Sequence, residues 1–113
     1  MTKTEPLIRL RRKLGVETLW LFLLAELARG KSHPYKLVSA IKERYGFDAG
    51  RVLPYVVLKK LEAEGYVESY VEGNRHYYRI TDKGRELLVE GLKYIESILE
   101  KLKVETKKAV KIE

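Results

Sequence analysis

The chain has 113 residues and a mass of 13.2 kDa, which suits one domain with a working core and excludes a second catalytic domain. It has no cysteine, so disulfides, thiolate nucleophiles and cysteine-ligated zinc or iron are ruled out. Its 23 Lys and Arg against 16 Asp and Glu give +7, a balance that points to a polyanion or an acidic surface as partner.

The distribution of that charge sharpens the expectation. Residues 86 to 113 hold six Lys and six Glu, so the whole excess lies in residues 1 to 85. The longest apolar run, Leu19 to Ala25, is far short of the roughly 20 residues of a bilayer crossing. The amino terminus also lacks the pattern of a secretory signal. A cytoplasmic location is expected. The sequence lacks glutamine, has a single asparagine, Asn74, and is dense in Glu and Lys, a composition expected of hyperthermophile proteins.

In chain order, Pro6 to Leu14 read as a basic helical arm, with Leu7, Leu10 and Leu14 at helical spacing and Arg9, Arg12 and Lys13 between them. Gly15 is expected to bend it. Glu17 to Ala28 form a first core helix that is apolar on nearly every side, which calls for two covering surfaces. After Gly30, the Ser32-His33-Pro34 sequence starts a second helix that runs to about Tyr45. Tyr35, Leu37, Val38 and Ile41 form its expected inward stripe. A third helix is predicted from about Arg51 to Glu64, with Pro54, Val57, Leu58 and Leu61 on its buried face.

The period then switches from helical to alternating. Val67 to Val71 and His76 to Ile80 read as a hairpin turning at Gly73 and Asn74. The implied register sets Glu72 opposite Arg75, Tyr70 opposite Tyr77 and Glu68 opposite Arg79 on one face. The other face pairs Val67 with Ile80, Ser69 with Tyr78 and Val71 with His76. Thr81 is the expected N-cap of a final helix, along which Leu88, Leu92, Ile95, Leu99 and Leu102 recur at spacings of 4, 3, 4 and 3. That is the heptad seam of a helix packing on another helix. From Lys103 onward the periodicity weakens and a frayed tail is expected.

The fold class that follows is mainly α with a small β-hairpin: a winged helix-turn-helix plus a long C-terminal dimerisation helix. The expected organisation is a basic arm (1–15), a winged helix (16–81), a dimerisation helix (82–104) and a tail (105–113). In such a fold the third helix enters the major groove and the hairpin reaches the flanking groove or backbone. Opposite its buried stripe, the third helix offers Val52, Val56, Lys59 and Lys60, with Arg51 and Tyr55 on the flank. Lys and Arg neutralise phosphates or bond guanine edges, tyrosine hydroxyls hold backbone oxygens, and valine touches a thymine methyl.

The start of the second helix adds Lys31, Ser32, His33, Tyr35 and Lys36, where free amides and positive charge suit a phosphate. The bland alternative makes Ser32 a helix cap and Tyr35 a core residue. At the hairpin tip, Asn74, Arg75 and His76 suit a wing, whereas Arg79 is expected to engage Glu68. Neither histidine has an HxxxH or HExxH setting, so no metal is expected. The chain has no glycine-rich phosphate loop, GxSxG elbow or shielded carboxylate pair, so neither an enzyme nor a cofactor is expected.

The stretch LWLFLLAELARGKSHPYKLVSAIKERYG, then LPYVVLKKLEAEGYVES, then HYYRITDKGREL resembles the PadR family of winged-helix transcriptional regulators over about residues 16 to 90. Two departures stand out: a proline replaces the glycine usual before Tyr35, and Pro54 precedes Tyr55 rather than following it. The resemblance implies a homodimer held by the C-terminal helix and the first core helix, binding double-stranded DNA at an inverted repeat to repress transcription. It also implies relief by a small hydrophobic effector in some members. Leu19, Trp20, Leu23, Leu88, Leu92, Ile95, Leu99 and Leu102 are the expected dimer contacts. Trp20, Phe22 and Tyr94 are candidates for lining an effector pocket. Two rival functions remain open on the sequence: a winged helix used for protein or RNA contact, and a non-specific chromatin-coating protein.

Overall fold

The structure is a computed structural model that describes residues 5–110; the first four residues of the expected arm and residues 111–113 of the expected tail lie outside it. Helix α1 (Glu5–Lys13) is followed by a short 3-10 turn (Val16–Thr18) and helix α2 (Leu19–Leu27). Helices α3 (Pro34–Tyr45) and α4 (Leu53–Ala63) complete the helical core, strands β1 (Val67–Glu72) and β2 (Arg75–Ile80) form the hairpin, and helix α5 spans Asp82–Val110. The expected fold class, mainly α with a small β-hairpin and a long C-terminal helix, is the one observed.

Helix α2 is the centre of the core. Leu19, Leu21, Leu23, Leu24 and Leu27 are buried, and α3, α4, α5 and β2 all pack against this helix. A helix that is apolar all round is thus covered over most of its surface within one chain, with Trp20, Phe22 and Ala25 half-buried. Its one buried acid, Glu26, is held by Arg44, whose Nε lies 3.1 Å from Oε2 and 3.3 Å from Oε1. Phe22 packs edge-on against Tyr45 and Phe47, at 5.0 Å from each ring.

Helix α3 begins with Pro34 at its first turn and ends at Gly46, whose φ of 83° fits the left-handed cap that glycine adopts freely. Leu37 and Ile41 are buried as expected, but Tyr35 is 82% exposed, so it belongs to the surface and not to the inward stripe. Helix α4 starts two residues later than predicted. Arg51 and Val52 precede it, and Pro54 sits in its first turn, buried with Leu58 and Leu61.

The hairpin register is the predicted one at all six pairs. Tyr70 and Tyr77 stack at 5.8 Å, and Arg79 Nε donates to Glu68 at 3.0 Å. Ser32 adds a third rung: its N–H donates to the Tyr78 carbonyl at 3.0 Å and its carbonyl accepts from Tyr78 N–H at 2.8 Å. This antiparallel bridge ties the wing to the segment just before α3.

Thr81 caps α5, its hydroxyl accepting from Gly84 N–H at 3.0 Å and donating to the Gly65 carbonyl at 2.7 Å. At Gly84 α5 packs so close to the segment before β1 that a Cβ there would stand 2.1 Å from the Tyr66 carbonyl oxygen. In all, α5 is 29 residues long, about 43 Å at 1.5 Å per residue. The expected frayed tail is helical as far as Val110. Lys107 and Lys108 lie in the last turn, where the negative end of the helix dipole favours cations, and Lys108 pairs with Glu105 at 3.7 Å.

Candidate nucleic-acid interface

Three elements meet at one end of the winged helix: the N-terminus of α3, the first turns of α4, and the tip of the hairpin. Between them lies a cleft of about 260 Å³ lined by His33, Pro34, Tyr35, Tyr55, Asn74, Arg75 and His76. A second groove of about 540 Å³ runs between α3 and the start of α4, and Tyr35, Lys42, Arg51 and Tyr55 are among its lining residues. On the far side of the α3 start, Arg29, Lys31, Lys36 and Arg44 surround a polar recess. The cleft and the groove together carry Lys42, Arg51 and Arg75, two tyrosine side chains and the positive end of the α3 dipole. That chemistry suits a phosphate backbone.

The structure sorts the residues expected here. Tyr55, Val56 and Lys59 stand exposed on α4, with Arg51 and Val52 exposed just before it. Lys60 is exposed too, but it borders a different groove, shared with Trp20, Leu53 and Glu64 on the opposite flank of α4. Lys36 is exposed on the first turn of α3, and Asn74, Arg75 and His76 form the wing tip.

Two of the expected contacts are otherwise occupied. Ser32 is buried and its backbone is spent on Tyr78, so it neither caps α3 nor offers a hydroxyl at the surface. Lys31 Nζ donates to Glu72 Oε1 at 2.9 Å and lies 5.3 Å from the Tyr77 ring centroid. Glu72 holds the Lys31 ammonium above the ordinary lysine range. The hairpin register sets Glu72 opposite Arg75, but its carboxylate reaches back to Lys31.

That rearrangement exposes a residue whose partner sequence reasoning missed. Arg75 Nη1 lies 2.8 Å from His33 Nε2, across 42 positions of sequence. Burial, together with the neighbouring Arg75 and Lys36, pushes the His33 imidazole below its usual range. A neutral ring has one acceptor nitrogen, and the short Arg75 contact claims Nε2. The proton then sits on Nδ1, so the 3.4 Å contact from Lys36 N–H to Nδ1 cannot form at the same time. No local pattern signals this pair; only the hairpin register and the bridge at Ser32 bring the two residues together.

The expected dimer contacts also divide. Leu19 and Leu23 are buried by the chain's own α3, α4, α5 and β2, which leaves them nothing to offer a second copy. The expectation that Leu19 and Leu23 of the first core helix hold a homodimer is therefore corrected. Leu88 is buried at the root of α5. Further along, Leu92, Ile95, Leu99 and Leu102 remain 51%, 39%, 54% and 60% exposed. The three aromatics expected around an effector do not converge. Phe22 faces Tyr45 and Phe47, and Tyr94 is exposed on α5. Trp20 lines an open groove of about 640 Å³ with Leu53, Val57, Leu61, Tyr66 and Leu87.

Among the described residues, no helix is long and apolar enough to cross a membrane. Against curated proteins, the sequence finds no match. The fold is similar to that of a PadR family transcriptional regulator from Eggerthella lenta, with a TM-score of 0.74 and 26% identity over 89% of this chain and 88% of that one. It is also similar to smu.1704 from Streptococcus mutans, at a TM-score of 0.67 and 26% identity, covering 88% and 93% of the two chains. Bacillus subtilis PadR, solved in complex with operator DNA, matches at a TM-score of 0.59 and 29% identity, over 66% of this chain and 46% of that longer one. The model of the transcriptional regulator PadR-like family matches residues 23–90, from the middle of α2 through the hairpin to the first turns of α5. The chain belongs to the PadR-like family of transcriptional regulators, and is a regulator rather than an enzyme.

Proposed function

We propose that the protein is a homodimeric, sequence-specific DNA-binding repressor that acts at an inverted-repeat operator. The observation that carries this reading is the convergence of the α3 N-terminus, the exposed face of α4 and the wing tip on one basic surface. In this reading α4 enters the major groove, where Tyr55, Val56 and Lys59 meet base edges and backbone. Lys36, Arg51 and Arg75 neutralise flanking phosphates. The complex of Bacillus subtilis PadR with operator DNA supports the assignment.

The exposed seam of α5 supports the dimer. Leu92, Ile95, Leu99 and Leu102 repeat at helix-pairing intervals and stay substantially exposed among the described residues. Two copies related by a two-fold axis display two α4 helices in opposite sense, which an inverted repeat mirrors. The groove beside Trp20 is the place we assign to a small hydrophobic effector. It touches both α4 and the root of α5, so an occupant there would alter the spacing of the two reading heads.

Selection from random duplexes at low ionic strength tests the reading. An inverted repeat whose half-sites lie about one helical turn apart, or a multiple of that spacing, is the expected product. Binding with no enrichment of any sequence would overturn it in favour of a general DNA-coating protein. No binding at all, with a protein or RNA recovered instead, would favour an interaction module.

A further inference from the structure

We propose that His33 is a positioning residue for the wing, holding Arg75 at the mouth of the cleft and handing it to a DNA phosphate with uptake of a proton. The inference rests on the DNA-binding reading above and deepens it, because it names how contact at that site is regulated.

The geometry is specific. Arg75 Nη1 donates to Nε2 of His33 at 2.8 Å, and His33 is the residue at which α3 begins. The hairpin is braced on either side of this contact: the Ser32–Tyr78 bridge fixes its root and the Lys31–Glu72 ion pair holds its outer turn. The imidazole is also met edge-on by the Tyr77 ring at 5.8 Å. The guanidinium can therefore reach the cleft or stay on the imidazole without the wing itself moving.

The groups facing His33 set the sign of the pH dependence. From β2 come Arg75 and Tyr77, from α3 Lys36, and around the cleft Tyr35, Tyr55 and His76. The nearby acid, Glu72 on β1, is bonded to Lys31. In the free protein His33 thus sees cations and little compensating negative charge, and its lone pair is needed by Arg75. The neutral form is favoured, in keeping with the lowered pKa. A phosphate entering the cleft reverses both conditions: it takes Arg75 away from Nε2 and places an anion beside the ring. Protonated His33 then adds a second cation to the same phosphate, beside the positive end of α3. Binding DNA and binding a proton are coupled, and each must favour the other.

Affinity for the selected duplex, measured at constant ionic strength from pH 8 to pH 5.5, is expected to rise as pH falls below the ordinary histidine range. The limit is about tenfold per pH unit for each proton taken up. His33→Gln keeps a neutral acceptor for Arg75 but cannot titrate, so it should flatten the profile between pH 8 and pH 5.5, whatever it does to affinity at pH 8. His76→Gln removes the other histidine of the chain, which also lines the cleft; whatever it does to affinity, a pH-dependent slope carried by His33 should remain. A flat profile in the unaltered protein, or a slope that survives His33→Gln and vanishes in His76→Gln, would overturn the proposal. A second readout needs no DNA: followed by NMR, His33 in the free protein should titrate below the usual value, and Arg75→Gln should raise it. Absence of that rise would sink the positioning contact by itself, whereas failure to bind any duplex would sink the DNA-binding reading and leave the contact standing.

Discussion

Helices α2 and α5 are both rich in leucine, yet one is closed and the other open. In α2 every apolar side chain is at least partly covered by the chain's own elements, and Leu23 and Leu24 are fully buried. In α5 the root is covered at Leu88, but from Leu92 onward the apolar seam faces outward. The difference teaches that total hydrophobicity does not announce an interface. A helix apolar all round is what the middle of a small helical domain requires, because its neighbours approach from every side. An amphipathic helix whose single apolar stripe repeats at 4 and 3, and which projects past the domain, leaves that stripe exposed.

The largest expected effect breaks the open side of that comparison. Replacing Leu92 and Leu99 together by Glu puts like charges in the seam and should convert a dimer to a monomer, as read by light scattering, with the helical content largely kept. An unchanged mass would show that the seam is not the contact. The closed side is next. Leu23→Ala should lower the unfolding free energy by about 2–5 kcal/mol, the usual range for a leucine cavity in a tight core. Denaturant unfolding of the monomeric Glu variant background separates this loss from any change in association. The smallest effect concerns the reading surface. Lys59→Ala should leave the melting temperature nearly unchanged while weakening DNA binding evenly across sequences and reducing the salt slope by about one. If Lys59→Ala relaxes sequence preference instead, the lysine reads a base rather than a phosphate.

The wing was the most legible part of the sequence. A period of two, a Gly-Asn turn and complementary charges at facing positions admit few registers, and all six predicted pairs occur. The face of α4 was legible as well, because Pro54, Leu58 and Leu61 declare the buried side and so the exposed one. What local pattern could not give was the use of residues across long separations. Ser32 reads as a cap, but its backbone completes a bridge with Tyr78. Lys31 reads as a free cation, yet Glu72 from the wing holds it. Tyr35 fits an inward stripe by spacing, but it is exposed and lines the grooves that open towards α4 and the wing. The end of α5 was under-read because its charges at Glu105, Lys107 and Lys108 interrupt the apolar period while still favouring helix.

The most direct test of the account measures affinity for the selected duplex as a function of salt. Each neutralised phosphate lowers log K by about 0.9 per log unit of salt, so two reading heads with several cations each predict a steep decline, reduced to roughly half when Leu92 and Leu99 are both replaced by Glu. An affinity indifferent to salt, or a slope that is the same in the paired and separated forms, would contradict the claim that two copies joined through α5 present their basic faces to one duplex.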